Sequence, residues 1–425
     1  MAGNRVLQGH DYDPATLGAK KRGRDEPYFP WSGPYRGGLG AEGRHPPRFP
    51  CRPLGTSGAP QAGGLASHPN AAWLCAVDLS EHIPSSLAPQ LEALGLKPSH
   101  AGPLLRSYYG AGATAQPNGR RFPPELALYL KEHTDRRAAS VVTRNVSADG
   151  TTKLLLRLCD GRTVESVMMP DFRTDRAAGC ISSQVGCAMG CDFCATTKTG
   201  FERNLGIGEM VEQFLALRHE ARAAGRRLQT VVFMGMGEPM LNLENVCAAI
   251  VRMADNDMGA LGFRQVTVST VGIVQGIDAL AASGMNVHLA ISLHAPDDAT
   301  RARLLPMGRR FGVQEILAAA DRYQERTRRP VSIQYCLLDG VNDSVRQAEE
   351  LAGLLGKRRM HVNLLRYNPT GLSLRGETYA PSPEAATEAF LSQLRGRGVV
   401  AHIRRSRGPD IDAACGQLRR RSALA

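Results

Sequence analysis

Val231-Val-Phe-Met-Gly-Met-Gly-Glu-Pro239 reads as a β-strand that runs directly into a glycine loop. Its β-branched and aromatic residues favour extended backbone, and the glycines let a ligand or another segment approach the main chain closely. This strand begins near residue 229, and five stretches of similar character follow, at 266–270, 287–293, 331–337, 361–367 and 399–404. Helical periodicity fills the intervals, at 208–224, 243–254, 313–326, 344–355 and 383–394. Alternating strands and helices imply an α/β fold with a parallel sheet wound right-handedly, either an open doubly wound sheet or a whole or partial β/α barrel. Ligands belong at the carboxyl ends of such strands, and polar residues stand there. Glu238 follows the first strand, where it could hold a cationic amine. Ser269 closes the second, Ser292-Leu-His294 the third, and Asn368 follows the fifth. Singly each is an ordinary cap or turn residue. Together they form a polar ring around a cavity.

Upstream of that array lies Gly186-Cys-Ala-Met-Gly-Cys-Asp-Phe-Cys-Ala195. Thiolates at spacings of four and three residues can converge from one tight loop on a single iron-sulfur cluster. Three protein ligands on a four-iron cubane leave one iron open to chelate a small molecule, which suggests catalysis rather than electron carriage. A structural zinc site fits poorly, because a fourth cysteine is missing locally and the nearest downstream histidine is the distant His219. Unligated core cysteines are the bland alternative, and three in eight residues among glycines would be an odd filling.

The chain has 425 residues and ten cysteines, too long and too cysteine-poor for a disulfide scaffold. It shows no apolar leader and no apolar run able to span a bilayer, so a reducing cytoplasm is the expectation. Fifty-two Lys and Arg against forty Asp and Glu give a net charge of +12. Arginines gather at Arg301, Arg303, Arg309, Arg310, Arg322, Arg326, Arg328 and Arg329, and again at Arg404, Arg405, Arg407, Arg419, Arg420 and Arg421. Such regions suit a polyanionic partner, although charge runs are often only solvated faces.

Residues 1–68 are rich in Gly, Pro and Arg and read as a disordered extension, with no role for Cys51. Residues 69–137 turn helical, with Leu87, Leu91, Leu94 and Leu96, then Leu104, Leu105 and Tyr108, then Leu126, Leu128 and Leu130, and read as a small helical accessory domain. Residues 138–175 hold three apolar runs separated by Asp149-Gly150 and Asp160-Gly161, as in a short antiparallel meander. A core over 176–418 and a basic tail over 419–425 complete the division. Cys75, Cys159, Cys247 and Cys336 have no suggestive context and are expected in the core or on the surface.

The cysteine triplet, the Gly237-Glu-Pro239 motif, Cys180-Ile-Ser-Ser-Gln-Val-Gly-Cys187 and Gly408-Pro-Asp-Ile-Asp-Ala-Ala-Cys-Gly-Gln417 together resemble the radical S-adenosylmethionine (radical SAM) RNA methyltransferases that modify adenine. The likeness covers roughly residues 75–418 and implies the partial parallel barrel of radical SAM enzymes. It further implies that Cys187, Cys191 and Cys194 bind a 4Fe-4S cluster, whose open iron chelates S-adenosylmethionine. Gly237, Glu238, Ser269, Ser292, Leu293, His294 and Asn368 would contact that cofactor. Cys415 would carry the methyl group, Cys180 would be its catalytic partner, and Glu165, in Val164-Glu-Ser-Val-Met-Met-Pro170, matches the family's proton acceptor. The expected neighbourhood of Cys415, beside arginines, favours a reactive thiolate.

Carbon 2 of adenine is not a nucleophile, so its methylation needs radical chemistry. In the scheme the resemblance implies, one S-adenosylmethionine methylates Cys415 and a second is cleaved reductively to a radical that takes hydrogen from the S-methyl group. The carbon radical adds to the base, Cys180 or Glu165 accepts a proton, and a Cys180–Cys415 disulfide forms as product leaves. The substrate would be ribosomal RNA, with transfer RNA as a second target. An external electron donor, a thiol reductant and a monomeric, membrane-free enzyme complete the expectation. Three alternatives stay open: methylation at carbon 8, a radical SAM enzyme that does not act on RNA, and a non-catalytic iron-sulfur protein that binds RNA.

Overall fold

In a computed structural model, residues 79–110, 122–134, 137–356 and 358–419 are described. The expectations for residues 1–68, Cys51, Cys75 and Arg420 to Ala425 lie outside them. Three helices come first, α1 (Pro84–Ala93), α2 (Ala101–Gly110) and α3 (Pro124–Thr134). Leu87 and Leu91 of α1 and Leu104, Leu105, Tyr108 and Tyr109 of α2 are buried, whereas Leu94 lies just past the end of α1 and Leu128 points outward. Three antiparallel strands follow, β1 (Ala139–Val146), β2 (Thr152–Leu158) and β3 (Thr163–Pro170).

The meander is not a separate layer. β3 pairs antiparallel with β4 (Arg176–Cys180), Val167 opposite Cys180, and β4 is the first strand of the parallel array. Sequence periodicity misses β4 because Arg176-Ala-Ala-Gly-Cys180 carries no large apolar residue. The smallness has a packing reason. A Cβ on Gly179 would lie 3.1 Å from Leu217 of α5 (Ile207–Ala223) and 3.3 Å from Leu228, so the helix lies close over the strand. Before α5, a hairpin of β5 (Gln184–Gly186) and β6 (Phe201–Asn204) brackets the cysteine loop and the one-turn α4 (Ala195–Lys198). Gly186 has φ +75°, and a Cβ there would fall 1.8 Å from the Gly200 carbonyl, so only glycine fits that close approach.

The array continues through β7 (Arg227–Phe233), α6 (Leu243–Ala254), β8 (Val266–Thr270), α7 (Val274–Ala282), β9 (His288–Ser292), α8 (Asp298–Leu304), α9 (Val313–Thr327), β10 (Val331–Leu337), α10 (Val345–Leu355), β11 (Met360–Arg366), α11 (Glu384–Gly396) and β12 (Val400–Arg404). The strand order is β1-β2-β3-β4-β7-β8-β9-β10-β11-β12. From β4 to β12 every pairing is parallel and every crossover advances by one strand in the same direction. Such a sheet has no reversal of strand order, which excludes the doubly wound alternative, and β12 pairs with β11 alone, so the barrel is partial.

The two faces of this sheet differ sharply. One carries Val231 and Phe233, Val266 and Val268, Leu289 and Ile291, Ile333 and Tyr335, and Val362 and Leu364, all at most 1% exposed. The other carries Ser269, Ser292, Gln334, Asn363 and His402 at the alternate positions. The apolar face forms the core, and the polar face is left for the site. Leu289→Ala should therefore cost about 2–5 kcal/mol, read as a lower urea midpoint at unchanged slope.

Candidate active site

The cysteine loop is fixed by its backbone. Cys187 N–H donates to the Gly200 carbonyl (3.0 Å), Asp192 N–H to Leu304 (2.9 Å) and Cys194 N–H to Cys191 (3.1 Å). The Tyr379 hydroxyl donates to Asp192 at 2.6 Å. All three thiols line one cavity, with Gly237, Glu238, Ser269, Ser292, His294, Asn368 and Cys415. Of the residues expected to contact a cofactor, only Leu293 turns away, fully buried in the core. Burial pushes the Cys187 thiol up to about 12. It also raises Cys191, with further contributions from Cys194 and Cys187.

Glu238 is buried, and its carboxylate accepts from the backbone N–H of Met240 (3.0 Å) and of Val271 (2.9 Å). Burial nevertheless raises it to about 7 against those donors. Gln184 accepts from Glu238 N–H at 2.8 Å, and a Cβ on Gly237 would lie 2.6 Å from the Gln184 side chain. His294 has φ +59°, and its Nδ1 accepts from Cys336 N–H at 2.9 Å. Burial, with Arg301 adding to it, lowers His294 to about 3, so the ring is neutral and its Nε2 carries the proton.

Cys415 lies in a loop with one short 3-10 turn at Pro409–Ile411, held from both sides. From the cysteine side, Ala195 N–H donates to the Gly416 carbonyl (2.7 Å) and Thr196 Oγ1 to that of Leu418 (2.6 Å), and from the loop after β11 Asn368 Nδ2 donates to the Cys415 carbonyl (3.3 Å). From the meander side, Ser147 Oγ and Ala148 N–H donate to Asp410 at 2.5 and 3.2 Å, and Gly408 N–H donates to Asp149 at 3.3 Å. Deeper in, Lys153 Nζ lies 3.2 Å from Glu165 Oε1 and donates to the Asp412 carbonyl at 3.1 Å. Glu165 Oε2 accepts from Arg419 N–H at 2.9 Å. Glu165 is thus tied to the loop that bears Cys415 and does not line the cavity.

Cys415 is accessible through the cavity, yet burial by the surrounding protein raises its thiol, with Arg404 opposing. The neighbouring arginines therefore do not produce the low-pKa thiolate expected from sequence. Cys180 is buried, and its thiol is raised by burial and then by the charge of Cys415. The eight described cysteines are all free.

Several site residues escaped sequence reading. Cys336, expected to be unremarkable, lines the cavity on β10. Ser182 bridges segments by donating to the Glu165 carbonyl (2.7 Å) and accepting from Met236 N–H (2.9 Å). Lys153, Gln184 and Ser182 are polar residues on strands or beside them, and only their burial marks them. Arg301, grouped by sequence with a basic surface, is instead fully buried and donates to the Val271 and Phe311 carbonyls. Arg303 and Arg322 are paired with Glu377 and Asp278, so that cluster is no single cationic face.

The family model of the Radical SAM superfamily matches residues 181–352. A probable dual-specificity RNA methyltransferase RlmN 1 of Opitutus terrae is 64% identical over 341 residues, covering 80% of this chain and 96% of the relative. The chain belongs to the radical SAM RNA methyltransferases. Another relative, a probable dual-specificity RNA methyltransferase RlmN of Thermosynechococcus vestitus, is 43% identical over 79% of this chain and 96% of its own. The crystal structure of a radical SAM methyltransferase from Sphaerobacter thermophilus superposes with a TM-score of 0.76 at 40% identity, covering 81% of this chain and 99% of that one. As a radical SAM methyltransferase the chain is an enzyme, and among its described residues no helix is long and apolar enough to cross a membrane.

Lys153→Met removes the cation from a buried carboxylate and should cost roughly 3–5 kcal/mol. Chemical denaturation reads that loss, and limited trypsin digestion should cut faster at Arg404 to Arg407. Lys153→Met combined with Glu165→Gln should recover part of the stability.

Proposed function

We propose that this enzyme methylates carbon 2 of adenosine in ribosomal RNA and in transfer RNA, with Cys415 as methyl carrier. The observation that carries the reading is the meeting of the cysteine loop, the polar strand ends and Cys415 around one cavity. The relatives' names, RNA methyltransferases of dual specificity, support RNA as substrate and more than one target.

The donor set fits a 4Fe-4S cluster. Three soft thiols face one cavity, while no group of three His, Cys, Asp or Glu among the described residues converges on a single metal ion. A cubane asks for that arrangement, because each thiolate binds a different iron. Positive iron would also reverse the raised thiol pKa values, since ligation requires thiolates. Glu238, backed by Gly237, would accept a hydrogen bond from the amino group of S-adenosylmethionine. Neutral His294 would donate its Nε2 proton, and Ser269, Ser292 and Asn368 supply the remaining polar contacts. Bound together, the two cofactors supply a methyl group and the one-electron chemistry that an unreactive ring carbon requires.

The chain's own residues do the rest. Cys415 accepts the methyl group as a thioether and, once the base is joined to it through a methylene, holds the adduct in place. Cys180, beside Cys415, takes the proton lost from the ring carbon. Glu165, engaged by Lys153 and Arg419 N–H, positions the loop. Attack of the Cys180 sulfur on the Cys415 sulfur forms an S–S bond and breaks the S–C bond; the electron pair of that bond stays on the methylene carbon, which takes up the proton Cys180 gives up and becomes the methyl group. An external dithiol then returns both cysteines to thiols. The helical module from 69–137 and the meander from 138–175 serve as accessory elements to the core at 176–418, the first of them toward RNA.

Anaerobically reconstituted protein incubated with bulk ribosomal and transfer RNA should yield 2-methyladenosine by nucleoside mass spectrometry. Cys415→Ala should yield none, and 8-methyladenosine in its place would overturn the assignment of the carbon. A second expectation concerns pH. Glu238 is protonated in the free protein below about 7, whereas an N–H donor from the bound amino group favours its ionised form, so binding releases a proton. S-adenosylmethionine affinity should therefore rise with pH up to about 7 and level off above it. Calorimetry in buffers of different ionisation enthalpy reads the proton, and Glu238→Gln should flatten the profile.

A further inference from the structure

β12 is the last strand of the sheet, and its site-facing side is uncovered. Val400 is 58% exposed, and His402 and Arg404 are exposed as well, whereas Ala401 on the opposite side is buried. The strand register sets His361 beside Val400, Asn363 beside His402 and Leu365 beside Arg404. Ser332, Gln334 and Cys336 of β10 stand beside His361, Asn363 and Leu365 on the other side. Gln334, Cys336 and Leu365 line the active-site cavity, so this uncovered surface is the same face of the sheet.

A second cavity, of about 520 Å³, opens on that face at the amino ends of β11 and β12. Among the described residues its wall includes Arg358, Arg359, His361, Asn363, His402 and Arg404, and no Asp or Glu. Arg358 is neutralised by Asp321 at 2.9 Å, while among the described residues Arg359 and Arg404 have no carboxylate partner. Burial first, and then the neighbouring His402, His288 and Arg404, hold His361 below its ordinary value.

The two cavities are consecutive along one strand. On β11 the site-facing residues run His361, Asn363, Leu365, the first two in the second cavity and the third in the active site. Successive residues on one face of a strand are about 7 Å apart, comparable with the step between neighbouring phosphates of an extended nucleotide chain. Arg404 spans the junction, lining the second cavity and acting electrostatically on Cys415. Resting on the reading of RNA as substrate, we propose that the cavity between β11 and β12 seats backbone phosphates of the single-stranded RNA segment adjoining the target adenosine, with Arg359 and His402 as phosphate ligands. Phosphate contacts of this kind set the register of a bound strand while leaving its sequence unread.

The test uses the reconstituted full-length protein, Arg359→Ala/His402→Ala and Arg359→Lys/His402→Lys, which places a cationic donor at both positions. Binding of a fluorescein-labelled single-stranded RNA is followed by anisotropy across a salt series, where each phosphate contact contributes about 0.7 to the slope of log affinity against log salt. The alanine pair should bind several-fold more weakly, with a slope shallower by about 0.7–1.4, and the lysine pair should stay close to wild type. Transfer of labelled methyl from S-adenosylmethionine to Cys415 without RNA should be unchanged in both variants. A wild-type slope in the alanine pair, or inorganic phosphate displacing RNA equally from that pair and from wild type, overturns the proposal. Failure to label Cys415 in the wild type would instead overturn the methyl-carrier reading, since the anisotropy arm does not depend on it.

Discussion

The buried ion pair between Lys153 and Glu165 is the constraint on which the geometry of Cys415 depends. The loop that brings Cys415 to the cavity has no ladder of its own and only one short 3-10 turn. Its place is set by neighbours: the ion pair grips the Asp412 carbonyl and the Arg419 N–H, the first hairpin turn grips Asp410 and Gly408, and the cysteine loop grips Gly416 and Leu418. Two side chains at 3% and 2% exposure would be costly as isolated charges. Together they convert that cost into a requirement that strands β2 and β3 and the carboxyl-terminal loop be assembled at once. The antiparallel strands are thereby part of the site, although they contribute no residue to the cavity wall.

A second constraint is the division of polarity across the parallel sheet. Strands buried on both faces ordinarily read as continuous apolar runs, and barrel interiors are ordinarily packed with branched side chains. Here only the helix-covered face is apolar, and the opposite face carries serine, glutamine, asparagine and histidine. A sheet with such a face cannot close around a dry core, which accords with an open edge at β12. The polarity that forgoes core packing leaves a lined space beside the cysteine loop, and the exposed edge at β12 carries His402 and Arg404 on the same face.

Much of this was legible in the chain itself. The strand and helix alternation after residue 200 appears at nearly the expected positions, because long apolar periodic segments leave little freedom of interpretation. The strand-end residues Glu238, Ser269, Ser292, His294 and Asn368 reach one cavity because parallel strands with one-step crossovers bring all their carboxyl ends to one rim. Less legible was β4, whose small residues answer to Leu217 above them and not to any local propensity. Cys336 looked like filler because its role as wall depends only on which face of β10 the register turns inward. Arg301 looked like surface because a charged residue gives no local sign that backbone carbonyls await it inside.

The sequence alone settles the kind of chemistry: three thiols spaced for one cluster, a distant cysteine in a glycine-flanked loop, and strands whose ends converge. These are properties of residue type and spacing along the backbone, and they survive without knowledge of any long-range contact. Tertiary structure decides what each group experiences. Burial lifts the Cys415 thiol despite its arginines, turns Glu238 into a carboxyl poised near neutrality, draws Glu165 from the cavity into a clamp, and separates buried Arg301 from the exposed cations. Desolvation and partner geometry arise between segments hundreds of residues apart, so no window of sequence contains them.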